Sequence, residues 1–472
     1  FHNTMTGEKE EFQPLEEGKV KFYCCGPTVY DYFHIGNARP FIVFDALRSY
    51  LEFRGYEVTY VQNVTDLDDK IINKAQEEGV DIDEIASKYT RAYYEDLDKL
   101  GVREADIRPT VTERVDEIID FVDGLIDKGY GYAVDGDVYF RVEKFEDYGK
   151  LSGRTPEELR SGERIAVNEK KENPLDFTLW KAAKEGEPSW MSPWGEGRPG
   201  WHIECSVMVT STLGDSIDIH AGGQDLTFPH HENEIAQAEA LTGKQFARYW
   251  LHNGLLRLKG EKMSKSLGNF EYARDVVSEY GKEAVRYFYL STHYRKPLEF
   301  SKKNLEDARR AVERVYNTLS EMENYYEGQE GEKDQKRTKE DKEFLEFINS
   351  ARERFINKID DDFNTPGGLG VIFDIIKESN RYREKKNQNP VILKKACEAV
   401  KDLGAPLGLF QGREAKEILG LEEDLLELIV EVRSELREKE EWELADEIRS
   451  RLEDLGIKLK DGEEKTRWRR LL

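Results

Sequence analysis

The chain has 472 residues, 38% of them hydrophobic and 35% charged, and its formal net charge is −25 at pH 7. This length exceeds what one core supports and predicts two to four globular domains. The composition excludes a membrane span, since no apolar run approaches the roughly 20 residues required, and the charge excludes nucleic-acid binding by global attraction, so any RNA contact must use local basic patches.

The cysteine pattern bears on the cellular compartment. Four cysteines occur, an adjacent pair at 24 and 25 and singles at 205 and 397, which is a poor disulfide framework for a chain of this size. The residues after Phe1 form neither the basic region nor the apolar run of a signal peptide. We therefore expect a soluble protein of the reducing cytoplasm.

The first predicted elements form a β-α-β unit. Lys19 to Tyr23 alternates polar and apolar residues at the period of a strand, and Gly26-Pro27 ends it. Apolar residues between Arg39 and Phe53 follow one helix face, and Glu57 to Val64 is rich in β-branched and aromatic residues. A strand, a helix and a strand in this order predict a parallel sheet with a right-handed crossover.

The sheet signal is interrupted and then resumes. A helical stretch (Glu113 to Lys128), a hairpin (Tyr132 to Val142) and a polar run rich in Gly and Pro predict an insertion. The signals that complete the sheet domain return at Trp201 to Leu213, Ile217 to His220 and Trp250 to Leu258. From Asn304 onward the pattern is helical, and Gly328 to Lys342 predicts a solvated linker between helices.

These elements predict an α/β fold. A Rossmann-like domain with a parallel sheet contains an inserted connective domain, and a helical bundle and a small C-terminal mixed α/β segment follow. The predicted boundaries are 18–108 and 196–255 for the two halves of the Rossmann-like domain, 109–195 for the insertion, 256–303 for a loop region, 304–405 for the bundle and 406–472 for the C-terminal segment.

His34-Ile35-Gly36-Asn37 lies between the first predicted strand and the first predicted helix. Unpaired backbone N–H groups and the helix dipole at such a point favour an anion, for example a phosphate. The imidazole of His34 can donate to that phosphate as its charge grows. An ordinary strand-to-helix turn capped by Asn37 would use the same residues.

A second short run, Lys262-Met263-Ser264-Lys265-Ser266, is followed by Leu267-Gly268-Asn269 and carries two ammonium groups on a polar loop. Such a loop suits a mobile clamp over a triphosphate, although solvated loops often have the same composition. Together, and in this order, the two runs resemble the signature pair of class I aminoacyl-tRNA synthetases. We therefore expect ATP to contact His34, Gly36, Asn37, Lys262, Ser264, Lys265 and Ser266. Within that set the expected catalytic residues are His34, Asn37, Lys262 and Lys265.

Four scattered residues form a candidate metal site. His230 and Glu234 are four residues apart where a helix is predicted to begin, so both can face one ion. Cys25 follows the first strand and Cys205 lies on the helix after Trp201, both near the carboxyl edge of the sheet. Two thiolates, an imidazole and a carboxylate favour zinc. Two buried cysteines without a metal would also fit, and other possible ligands lie close by: Cys24, His220, His231 and Glu232.

Four longer segments resemble cysteinyl-tRNA synthetases, and the resemblance extends through essentially the whole chain. These segments are Tyr23 to Asp31, Asn63 to Asp66, Pro199 to Ser206 and Pro229 to Glu234. The resemblance implies ATP-dependent ligation of L-cysteine to tRNA(Cys) through a cysteinyl-adenylate, with Mg²⁺ accompanying ATP. It also implies which residues bind the zinc ion: Cys25, Cys205, His230 and Glu234.

The zinc ion would solve a problem of discrimination, because an apolar pocket separates near-isosteres such as cysteine and serine by only about 10–200-fold. A zinc ion that binds the substrate thiolate adds a bond that a neutral hydroxyl cannot match. Other expected contacts with substrate are Thr65, Trp201, His220 and Asp225. One position departs from the family pattern: Asn37 stands where the HIGH-type motif has its final histidine, and an amide can donate a hydrogen bond but cannot carry a proton charge.

The resemblance also implies how tRNA is bound. The stem-contact region would lie in 256–303, the tRNA-binding bundle in 304–405 and the anticodon-recognition segment in 406–472. Arg467, Trp468, Arg469 and Arg470 combine cations with a stacking ring, although a solvated basic tail is an alternative. We expect a monomer that works without a membrane.

Two other functions share part of this pattern. The cysteine ligase of mycothiol synthesis resembles the same catalytic half and also uses ATP, cysteine and zinc, but it has no anticodon to read, so the segment up to Leu472 disfavours it. A non-catalytic, zinc-stabilised RNA-binding relative is disfavoured by the intact run from Lys262 to Ser266 and by the presence of all four ligands.

Overall fold

The structure is a computed structural model that describes residues 1–155, 170–258, 260–263, 270–328, 337–385, 388–412, 415–454, 457–460 and 467–470. Two compact units divide the chain, Phe1–Phe410 and Gln411–Leu472. In the part of the chain that the structure describes, every helix is too short or too polar to cross a membrane.

A four-stranded parallel sheet organises the first unit, in the order β11-β10-β3-β4. Its strands are β3 (Lys19–Cys24), β4 (Glu57–Gln62), β10 (Ile217–Gly223) and β11 (Ala247–Asn253). Helix α1 (Ile35–Phe53) connects β3 to β4, and helix α6 (Glu232–Thr242) connects β10 to β11. The predicted α/β fold with a parallel sheet is confirmed. The chain leaves the two central strands in opposite directions, which opens a crevice at their carboxyl ends where α/β proteins bind ligands.

Helix α1 begins at Ile35, earlier than the expected start at Arg39, so the histidine-containing run forms its first turn. Ile35 is fully buried, and its carbonyl accepts a hydrogen bond from the Tyr289 hydroxyl. Pro40 lies inside the helix and has no N–H to give to the carbonyl four residues before it. The first turn is therefore supported by tertiary contacts, which periodicity does not reveal.

Three helices and the sheet of the insertion follow β4 in the chain. Helices α2 (Asp69–Glu78) and α3 (Ile82–Lys99) begin at the capping side chains of Asp68 and Asp81, and α4 (Val115–Asp127) follows. A five-stranded antiparallel sheet has the order β5-β6-β7-β9-β8. Its strands are β5 (Gly131–Val134), β6 (Asp137–Phe140), β7 (Phe177–Ala182), β8 (Trp190–Ser192) and β9 (Gly195–Pro199). Only the first hairpin of this sheet is predicted from the sequence, because β7 stands alone after a long polar run, β8 has only three residues, and β9 contains two glycines and a proline.

The remaining elements of the first unit are mostly helical. A three-stranded sheet contains β12 (Leu256–Leu258), β13 (Glu261–Lys262) and β14 (Leu298–Glu299), and a short hairpin at the start of the chain contains β1 (His2–Asn3) and β2 (Glu8–Lys9). The helices are α5 (Trp201–Leu213), α7 (Ala273–Tyr280), α8 (Lys282–Leu290), α9 (Lys302–Glu327), α10 (Lys339–Ile359), α11 (Thr365–Arg383) and α12 (Pro390–Gly404). The linker was predicted to run to Lys342, but a capping box formed by Thr338 and Asp341 starts α10 already at Lys339.

In its described residues, the second unit contains two helices and a pair of antiparallel strands. They are α13 (Ala415–Glu438), α14 (Trp442–Asp454), β15 (Ile457–Lys460) and β16 (Arg467–Arg470). The expected basic tail therefore includes a strand, which pairs antiparallel with β15. Four consecutive bulky residues carry no alternating pattern, so the partner strand is what identifies β16.

Candidate functional site

Four buried side chains converge beyond the carboxyl ends of β3 and β10. Cys25 follows β3, Cys205 lies on α5, His230 lies just before α6, and Glu234 lies in the first turn of α6. One ligand atom from each lies within 4.8 Å of the others. The two Sγ atoms are 3.9 Å apart, close to the roughly 3.8 Å that two Zn–S bonds of about 2.3 Å subtend in a tetrahedron. This spacing suits one small ion held by all four.

Burial controls the charge state of these ligands. It lowers the pKa of His230, against the opposing charge of Glu234, and so keeps the imidazole in the neutral form that binds metals. It raises the pKa of Glu234 to about 7, against the lowering influence of His230 and Cys25. It also raises the pKa of the Cys25 thiol. Because a buried anion without a counter-charge is costly, a divalent cation is the natural complement of this pocket.

The structure distinguishes the two adjacent cysteines. Cys24 is the last residue of β3 and packs with Phe22 and Phe44 in the core beneath α1. Cys25 faces the opposite side of the sheet and packs in the core that contains Cys205. Burial raises the pKa of both thiols, so their charge state does not separate them. Their positions do, because among the described residues the sulfur of Cys25, and not that of Cys24, lies with the other ligand atoms.

The other possible ligands are also placed. Cys25, His220 and His231 form a second group of potential metal-binding atoms, with Cys25 Sγ 3.3 Å from His231 Nε2. His220 Nε2 lies 2.7 Å from Glu234 Oε2 and its ring stacks on Trp250, so it is well placed to orient that carboxylate. Glu232 accepts hydrogen bonds from the backbone N–H groups of Gly149 and Ser152, at 3.0 and 2.8 Å, and so faces the inserted domain.

Two further histidines that sequence reasoning missed complete the surroundings of the ligands. His202 Nδ1 lies 2.9 Å from His230 Nδ1, and His252 Nε2 lies 2.8 Å from His231 Nδ1. Burial lowers the pKa of both, which keeps them neutral. Five of the eight histidines of the chain fall between positions 202 and 252, and this clustering was the available signal.

The expected substrate contacts occupy different environments. Trp201 is 41% exposed and its ring stacks on His230 at a centroid distance of 4.7 Å. Thr65 is buried and donates a hydrogen bond to Glu204, beside Cys205, at 3.1 Å. Asp225 is exposed in the turn after β10, whereas His220 is fully buried behind Glu234. Trp201 and Thr65 thus lie at the ligand set, and contact of all four with substrate stays a prediction.

The two short runs come together at the start of α1. Met263 is buried in the same core cluster as Ile35 and Ala38. A Cβ on Gly36 would lie 2.8 Å from the His34 ring and 3.7 Å from Met263 Sδ, so glycine permits this close approach. Downstream of the second run, the carbonyl of Glu271 accepts from the Ile35 N–H at 2.8 Å. Ser264, Lys265 and Ser266 lie outside the described residues.

Other expected site residues are placed in part. His34 is the N-cap residue of α1 and is half-buried, Asn37 is exposed in the first turn, and Lys262 ends β13. The basic residues expected to contact tRNA, Arg467, Trp468, Arg469 and Arg470, form β16. Their roles in binding stay predictions.

Comparisons with known proteins agree with this geometry. Residues 11–310 match the family model of tRNA synthetases class I (C) catalytic domain, and residues 354–411 match the DALR domain. The cysteine--tRNA ligase of Clostridioides difficile (strain 630) is 52% identical over 474 residues, covering 100% of this chain and 99% of the relative. That of Geobacillus thermodenitrificans (strain NG80-2) is 51% identical over 470 residues, covering 100% and 98%.

Solved structures show the same fold. A Mycobacterium tuberculosis methionyl-tRNA synthetase in complex with methionyl-adenylate has a TM-score of 0.63 at 16% identity, over 82% of this chain and 91% of that one. A putative arginyl-tRNA synthetase from Campylobacter jejuni has a TM-score of 0.57 at 16% identity, over 85% and 94%. With half of its residues identical to these ligases along its full length, the chain belongs to the cysteine--tRNA ligase family of class I aminoacyl-tRNA synthetases.

Proposed function

We propose that this chain ligates L-cysteine to tRNA(Cys) in two steps, with ATP as the energy source and cysteinyl-adenylate as the intermediate. The observation that carries the proposal is the convergence of Cys25, Cys205, His230 and Glu234 at the crevice of the parallel sheet. The signature runs meet at the start of α1 in the same unit. Membership of the cysteine--tRNA ligase family supports the choice of substrates.

The four ligands would hold a zinc ion, whose bound form supplies a Lewis acid that favours a thiolate over a neutral hydroxyl and so rejects serine. The chain's own residues would shape the rest of the pocket. The indole ring of Trp201 stacks on His230 and is partly exposed beside the ligands. The Thr65 hydroxyl accepts from Asn63 at 3.3 Å and donates to Glu204, which fixes its orientation.

Activation would take place at the start of α1. A carboxylate oxygen of cysteine attacks the α-phosphorus of ATP, and pyrophosphate leaves with its electron pair. His34 and the exposed amide of Asn37 would donate to phosphate oxygens, and Lys262 and Lys265 would stabilise the growing negative charge. Mg²⁺ would accompany ATP as its counter-ion. The 2′-hydroxyl of the terminal adenosine of tRNA would then take the cysteinyl group and release AMP.

Cysteine-dependent ATP–pyrophosphate exchange tests this function. We expect exchange with cysteine and none above background with serine. Cys205→Ser should lose exchange and zinc content together while remaining folded. Cys397→Ser is the matched control, because Cys397 is also a buried free cysteine but lies on α12 in a different core cluster from Cys205. Full exchange by Cys205→Ser protein without zinc would refute the proposal.

Binding of tRNA would involve the bundle and the second unit, where Arg467, Arg469 and Arg470 supply cations in a chain of net charge −25. Aminoacylation with purified tRNA(Cys) tests this step separately from exchange. Exchange without aminoacylation would support the activating half of the proposal and contradict its second half.

A further inference from the structure

Arg39 is a buried cation held by backbone carbonyl groups. Its side chain is 0% exposed, and within the described ranges no carboxylate forms an ion pair with it. Nη1 donates to the carbonyls of Gly254 at 2.6 Å and Leu255 at 3.2 Å. Nη2 donates to the carbonyl of Lys296 at 2.7 Å and makes a longer contact of 3.5 Å with that of His293. Burial lowers the pKa of Arg39 to about 10, so the group is still charged at neutral pH.

The carbonyls that Arg39 binds precede the strands of the three-stranded sheet. Gly254 and Leu255 lead into β12, and Lys296 leads into β14, which pairs with β12. The two segments are in close contact, because a Cβ on Gly254 would lie 2.6 Å from the Lys296 backbone. The Leu298 N–H also donates to the Leu255 carbonyl at 3.0 Å. The guanidinium therefore links the two segments that lead into the paired strands β12 and β14.

Strand β12 continues to the second signature run. It pairs antiparallel with β13, so that Arg257 lies opposite Lys262. The Met263 N–H donates to the Leu256 carbonyl at 3.3 Å. The position of Lys262 thus depends on where β12 lies. Two hydrogen-bonded steps, from Arg39 to Leu255 and from Leu256 to Met263, connect the guanidinium with the run.

The other end of the connection is the first signature run. Arg39 is two residues after Asn37 on the same helix. A methionine of similar volume would fill the site without the cost of desolvating a charge, so packing alone does not account for a guanidinium here. Its distinctive property is a fixed fork of donors that can bind two backbone segments at once.

From these contacts we infer that Arg39 is a positioning residue that holds the strand leading to Lys262 in register with the helix turn that carries His34 and Asn37. The inference rests on the proposed function, since it assumes that both runs act on one ATP molecule. It predicts that loss of the fork misplaces the two runs relative to each other while the amino-acid pocket stays intact.

The test compares Arg39→Met and Arg39→Lys with Arg48→Met. Arg48 is a suitable control because it lies on the same helix, is 7% exposed, and binds Asp106 and the Glu104 carbonyl at 2.8 and 2.7 Å, away from β12. We expect Arg39→Met to lower kcat of pyrophosphate exchange by about 100-fold, the scale of a misplacement near 1 Å. KM for cysteine and zinc content should stay within twofold of wild type. Arg39→Lys should fall between, and Arg48→Met should keep kcat within twofold despite a lower Tm.

A second measurement does not depend on activity. Hydrogen exchange of the Met263 amide should be faster in Arg39→Lys than in wild type and unchanged in Arg48→Met. Equal kcat for wild type and folded Arg39→Met, or an equal loss in Arg48→Met, would overturn the inference. If Arg39→Met fails to fold, Arg39→Lys is judged by the same criteria. Absence of cysteine-dependent pyrophosphate exchange in the wild type would refute the proposed function instead. Hydrogen exchange of the Met263 amide would still test the role of Arg39.

Discussion

Replacing Cys25 by serine, with Cys24→Ser as its neighbour control, tests whether the side of the sheet that a cysteine faces decides its chemistry. Both thiols are buried and adjacent in the chain, yet they pack in different cores. Cys25 Sγ lies 3.9 Å from Cys205 Sγ, whereas the Cys24 thiol donates to the Cys25 carbonyl at 3.7 Å. Each substitution changes one sulfur to oxygen and little else.

The two substitutions are expected to change different quantities: zinc affinity in Cys25→Ser and the free energy of unfolding in Cys24→Ser. Structural zinc sites bind with about 10–16 kcal/mol, so one of four ligands contributes roughly 2.5–4 kcal/mol. Cys25→Ser should therefore weaken zinc binding by roughly 10²–10³-fold, since about 1.4 kcal/mol corresponds to tenfold. Cys24→Ser should leave zinc binding unchanged and lower the free energy of unfolding by about 1–3 kcal/mol, the cost of burying a hydroxyl that is only partly satisfied.

The assay is a chelator competition that measures zinc affinity, combined with denaturant unfolding of the zinc-loaded proteins. Cysteine-dependent exchange should disappear in Cys25→Ser and persist in Cys24→Ser below its unfolding temperature. Retention of wild-type zinc affinity by Cys25→Ser, or its loss in Cys24→Ser, would show that the ligand set is wrong.

Three further predictions concern other parts of the chain. Gly36→Ala should reduce exchange by roughly 10–100-fold with unchanged zinc content, because the new Cβ would lie 2.8 Å from the His34 ring and displace it; wild-type kcat would contradict this. Partial burial raises the pKa of Asp69, but hydrogen bonds from Lys181 and Arg198 outweigh it and lower the pKa from 3.8 to about 2. The stability that Asp69 contributes should thus be fully present above about pH 4 and decline as the pH falls towards 2. The difference in unfolding free energy between wild type and Asp69→Asn should shrink over this range, and a constant difference would contradict the prediction. Truncation after Lys460 removes β16 and should raise KM for tRNA in aminoacylation while sparing exchange, whose residues lie in the other unit; loss of exchange would instead indicate a role in folding.

Local patterns in the sequence were sufficient to predict the parallel sheet and the family of the protein. Alternation in Lys19 to Tyr23 and the helix periodicity before Phe53 are short-range signals, and both elements are present in the structure. The segments around Cys25 and Cys205 were specific enough to indicate the synthetase family, which the full-length relatives confirm. Composition alone could not show strands as short as Trp190–Ser192, because their stability comes from neighbouring strands.

Residues and spacing alone predicted that His230 and Glu234 face one ion, since their four-residue separation is a property of any helix. Residues and spacing could not choose between Cys25 and Cys24, because one residue of register at the end of β3 decides which core each thiol enters. The same holds for Arg39, whose carbonyl partners lie more than 200 positions away in the chain. Such contacts depend on how the sheet, its helices and the loops pack together, and no local pattern of residues encodes them.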